Sequence, residues 1–136
     1  MYLYIIDISN FSKKIIILRN TDLPCIKEDF HLSSIKEYNG IFYVLMSYYD
    51  DDSNEIYILN LYSCETLSLL KIFTLNYLSE SYKYQIFIQN DVLFIAGSNY
   101  IYLYDINYLD KYLFKINICC NDFCHIDFNR LSMLII

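Results

Sequence analysis

Apolar side chains in this chain come in short runs that occupy consecutive positions. In YIYLYDI (Tyr100–Ile106) every residue but Asp105 is apolar or aromatic, and YLYIIDIS (Tyr2–Ser9) and EIYILNLY (Glu55–Tyr62) repeat the pattern. Runs this short, rich in Ile, Tyr, Phe and Val, predict strands. A strand with one face in water should alternate apolar and polar positions, so these runs predict strands covered on both faces. Asn39-Gly40 and Asn90-Asp91 stand between runs and are turn pairs of the kind that close tight hairpins. The best helical candidate, ETLSLLKIFTLNYLSESY (Glu65–Tyr82), is read as strand and loop because of its Thr, Phe and Asn content.

The runs repeat. Aligned on Asp7, Asn60 and Asp105, the three similar strands are 53 and 45 residues apart. NGIFYVLMS (Asn39–Ser47) matches NDVLFIAGS (Asn90–Ser98) at an offset of 51. Seven residues, YYDDDSN, follow Ser47 where Asn99 alone follows Ser98, so six extra residues in one loop reconcile the two spacings. Each unit then reads as four strands. The first has Phe30–Tyr38, Ile41–Tyr48, Glu55–Leu61 and Thr66–Thr74; the second has Tyr82–Gln89, Val92–Ala96, Tyr100–Ile106 and Tyr112–Cys119. Four-stranded antiparallel units of about 45 residues are the units of a β-propeller. The expected fold is therefore all-β and propeller-like, with a β-sandwich as the alternative.

Val92–Ile116, VLFIAGSNYIYLYDINYLDKYLFKI, resembles a blade of the WD-repeat family. Tyr104-Asp105 takes the place of that family's Trp-Asp pair, and Ile6-Asp7 and Leu59-Asn60 are the degenerate counterparts. The resemblance implies a scaffold that binds other proteins through loops and ring faces. The expected division is an outer half-blade at 1–24, blades at 25–75 and 76–120, and an inner half-blade at 121–136. The first part carries Tyr2–Ile8 and Lys14–Arg19; the last carries CHIDFNRLSMLII (Cys124–Ile136). About three blades are too few for a closed ring, so a homodimer, a partner chain or a longer parent protein is expected to complete it.

Composition narrows the chemistry. With 56% hydrophobic residues among 136, the chain can fill a core. A net charge of −6, with 10 Lys and Arg and no basic cluster, argues against direct nucleic-acid binding. The start lacks a basic region and meets Asp7 early, unlike a signal peptide, and no charge-free stretch approaches the roughly 20 residues of a membrane span. A soluble, cytoplasmic protein is the expectation. Cys25, Cys64, Cys119, Cys120 and Cys124 are an odd set and are expected to be reduced thiols.

DDDSNE (Asp50–Glu55) has the oxygen ligands of a Ca²⁺ loop without the EF-hand spacing, so it reads as a solvated hairpin tip and a contact for a basic partner. CCNDFCH (Cys119–His125) concentrates three thiols and an imidazole, but Cys124 and His125 point to opposite faces of a strand, and small buried thiols are expected rather than zinc. His31 and His125 belong to no nucleophile motif, and with 2 Gly a phosphate-cradling loop is excluded. Asp7 and Asp105 are expected to bond backbone N–H groups of the following turns. No catalytic, cofactor or metal residues are expected. The contact loop is taken as Tyr48, Tyr49, Asp50, Asp51, Asp52, Ser53 and Asn54, the one insertion in the repeat. A structural subunit of a larger assembly, or a fragment of a propeller enzyme, are the alternatives.

Overall fold

The computed structural model describes residues 30–78 and 84–117, together with the backbone of 2–7 and 12–17. Among the described residues the chain is all strand and turn, with no helix. Its contacts divide it into two units, Met1–Glu80 and Ser81–Ile136.

In the first unit, β1 (Tyr2–Asp7) pairs antiparallel with β2 (Ser12–Ile17). Four further strands, β3 (Phe30–Tyr38), β4 (Ile41–Tyr49), β5 (Glu55–Ser63) and β6 (Leu69–Leu75), form an antiparallel sheet in chain order. The second unit repeats that order with β7 (Gln85–Gln89), β8 (Val92–Ala96), β9 (Tyr100–Asp105) and β10 (Phe114–Asn117). The all-β, antiparallel four-stranded organisation expected from the sequence is therefore present twice. The chain's last stretch, with CHIDFNRLSMLII and the Cys119–His125 cluster, lies outside the described residues, as does Arg19.

The two sheets share their turns. Asn39 and Gly40 have φ of 49° and 75°, and Asn90 and Asp91 have φ of 50° and 61°. Paired left-handed residues make the turn whose twist matches that of the strands it joins. Each turn is closed from the third strand: Cys64 N–H donates to the Gly40 carbonyl, and Ile106 N–H to that of Asp91, both at 2.9 Å.

Both faces of the inner strands are buried, as their continuous apolar runs require. In β4, Tyr43 to Tyr48 are all buried, and in β5, Tyr57 to Tyr62. One face of this sheet gathers Val44, Met46, Tyr48, Ile58 and Tyr62. Fully burying a side chain of this size contributes about 1.5–3 kcal/mol, so these two strands dominate the unit's stability. In the second sheet, Phe94, Ala96, Ile101 and Leu103 form one such face, while Leu93, Ile95, Tyr102 and Tyr104 are buried as well.

The sixth strand starts later than the sequence predicts, at Leu69 rather than Thr66. The intervening residues close a tight turn instead: Leu67 N–H donates to Ser63 C=O at 2.8 Å, and the Thr66 and Ser68 hydroxyls bond each other at 2.6 Å. These small hydroxyl side chains satisfy turn groups locally and so compete with strand formation.

Candidate interaction surface

The repeat is unequal at one hairpin. β4 and β5 pair over nine positions, from Ile41↔Ser63 to Tyr49↔Glu55. β8 and β9 pair over five, from Val92↔Asp105 to Ala96↔Ile101. Superposing the sheets on their shared turns gives an offset of 51 along the second strand and 42 along the third. The difference is nine residues rather than the six inferred from sequence similarity. Eight of them lengthen the two strands by four pairs, and one lengthens the loop from four residues to five. The insertion is thus an extension of the paired sheet carrying a short tip.

That extension decides where each residue of the expected contact loop stands. Tyr48 is a core residue, 7% exposed, its ring edge-on to Phe30 at 5.8 Å. Tyr49 is 44% exposed and packs edge-on against His31, itself exposed, at 6.1 Å. Asp50 turns inward on the loop. Its Oδ1 accepts from Asp52 N–H at 3.0 Å and Asn54 N–H at 2.8 Å, and its Oδ2 from Asn54 Nδ2 at 3.2 Å. Its own N–H donates to Asn54 C=O at 2.9 Å, and its C=O accepts from Ser53 N–H, where φ is 64°. Asp51 and Asp52 are exposed. Glu55 accepts from the Ser47 hydroxyl at 2.7 Å. The tip therefore presents an aromatic ring, an imidazole and two carboxylates, held by a loop whose backbone is internally bonded.

The remaining marker residues separate. Asp105 ends β9, and its Oδ1 accepts from Asn107 N–H at 2.8 Å, a strand-end role of the kind expected of it. Tyr104 is buried and packs edge-on to Tyr112 at 6.4 Å. Counted from the shared turns, the counterpart of Asp105 is Ser63; Asn60 stands three residues inside β5, paired with Val44. It is wholly buried, with Nδ2 at 3.6 Å from Met46 Sδ and 3.5 Å from Tyr62 OH, and its Oδ1 has no hydrogen-bond partner among the described residues. Asp7 ends β1, opposite Ser12.

Sequence reasoning missed the Ser47–Glu55 bond, although a lone Ser in an apolar strand beside an acidic loop was a usable signal. It also missed the apolar edge of the second sheet, where Leu113, Phe114 and Ile116 are exposed at 53%, 65% and 38%. Among the described residues no three His, Cys, Asp or Glu side chains converge on a metal position, and Cys64 is a half-exposed cysteine outside any disulfide. No helix among them is long and apolar enough to cross a membrane. Comparison of the chain with protein-family models, with curated proteins and with solved structures found no match.

Proposed function

We propose that the chain is a non-enzymatic interaction module of WD-repeat-like, propeller type, which presents the tip of the β4–β5 hairpin to another protein. The observation that carries this reading is the unequal repeat. Two sheets share order and turn type, and one alone has four additional residue pairs, ending at Tyr49↔Glu55, with Asp51 and Asp52 on the loop beyond them. A rigid sheet that positions a variable loop is the common design of a binding module. Two outward carboxylates beside an aromatic ring suit a partner segment bearing Lys or Arg, because the ring face and the carboxylates both attract cations. The proposed setting is intracellular.

Affinity capture with the full chain tests this. The variant Tyr49→Ala/Asp51→Ala/Asp52→Ala is expected to lose a protein that the wild type retains at low salt, and the wild type is expected to release that protein as salt is raised. An identical set of captured proteins would remove the reading.

The exposed Leu113, Phe114 and Ile116 favour a second reading, a structural subunit that buries this edge against a second copy or a neighbouring chain. Light scattering separates the two. A subunit or homodimer elutes above 16.4 kDa, whereas a well-folded monomer at micromolar concentration leaves the hairpin reading alone.

A further inference from the structure

We infer that Asp50, with the Ser47–Glu55 bond, is the lock that selects the pairing register of the β4–β5 ribbon. In a strand with one wet face, a one-residue slip turns the apolar set into water, so burial itself fixes the register. That penalty is largely absent here. Tyr43 to Tyr48 and Tyr57 to Tyr62 are buried on both faces, and a slip of one or two residues mostly exchanges one apolar neighbour for another. Asn60, the one polar side chain inside β5, has only the Met46 thioether at 3.6 Å across the strands, too weak a contact to choose among registers.

The side-chain hydrogen bonds that change with register lie at the hairpin's end. A two-residue slip pulls Asn54 away from Asp50, which loses the pairing of its N–H with Asn54 C=O at 2.9 Å. It also loses the Oδ1 bond to Asn54 N–H at 2.8 Å and the Oδ2 bond to Asn54 Nδ2 at 3.2 Å. Ser47 Oγ loses Glu55 Oε1, now at 2.7 Å. The Asn39-Gly40 turn fixes β3 against β4 in the same way, whereas this tip is the turn that joins β4 to β5; at the ribbon's other end the native register has one main-chain bond beyond the paired strands, Cys64 N–H to Gly40 C=O at 2.9 Å. The lock therefore also decides which side chains stand at the tip, and it operates whether or not that tip meets a partner.

The test is nuclear magnetic resonance on the full chain, reading cross-strand contacts of Val44 with Asn60 and of Met46 with Ile58, which face each other in the native register. In Asp50→Ala/Ser47→Ala a second set is expected, joining Val44 to Ile58 or to Tyr62. Losing several local hydrogen bonds raises the slipped population roughly tenfold or more. Asp50→Asn, which keeps Oδ1 as an acceptor, retains one set. Leu59→Ala lowers stability in the same ribbon and also retains one set. If the double variant does not fold, Asp50→Ala alone shows the second set in smaller proportion. A single native register in the Asp50→Ala variants, or an equal second set in Leu59→Ala, overturns the inference.

Discussion

At the residue scale, two buried positions carry opposite expectations. Asn60 is buried among apolar side chains with an acceptor that has no donor among the described residues. Leaving such a group buried costs about 1–3 kcal/mol, so Asn60→Val is expected to raise the unfolding free energy measured in urea by an amount in that range. A fall would show that the amide is satisfied. Gly97 is buried against the ring of Tyr84; a methyl there would overlap Cε1 and stand 2.9 Å from Cδ1. Gly97→Ala is expected to cost about 1–3 kcal/mol, read by thermal unfolding, because the ring must shift within a packed core. The sequence made the strand-end role of Asp105 legible, since an acid that ends an apolar run has local backbone donors to bind. It misled at Asn60, whose likeness to Asp105 is a likeness of letters. β5 continues to Ser63 and carries Asn60 into the interior.

At the element scale, turn chemistry and strand length were written differently. Asn39-Gly40 and Asn90-Asp91 announced two hairpins, and both fold with paired left-handed residues. The second does so without glycine, so Asp91→Gly is expected to stabilise the chain by about 1 kcal/mol, measured by chemical denaturation. Gly40→Ala, at φ 75°, is expected to lose about the same amount. The long hairpin was only half legible. Its polar residues marked a tip, but similarity between Asn60 and Asp105 hid three residues of the insertion, because a strand apolar on both faces looks alike at every register. Because the extension is sheet, the amides of the additional pairs from Met46↔Ile58 to Tyr48↔Ile56 are expected to exchange slowly, alongside those of Val44↔Asn60. Fast exchange confined to those pairs would return them to loop.

At the scale of the whole molecule, the two four-stranded sheets are one design used twice, and the departures from it are where interaction is proposed. The long hairpin ends in exposed Tyr49, Asp51 and Asp52, and the last described strand leaves Phe114 in solvent. Burying that ring against another chain contributes about 1.5–3 kcal/mol, so Phe114→Asp is expected to lower the mass seen by light scattering if this edge is an interface. The hairpin claim is met most directly by photo-crosslinking in the host cell. A photoreactive residue placed at Tyr49 is compared with one placed at Asn107, which is also exposed but lies on the turn after β9. The account predicts a discrete adduct with another protein from position 49 and none from position 107. No adduct at 49, or the same adducts from both positions, would contradict it.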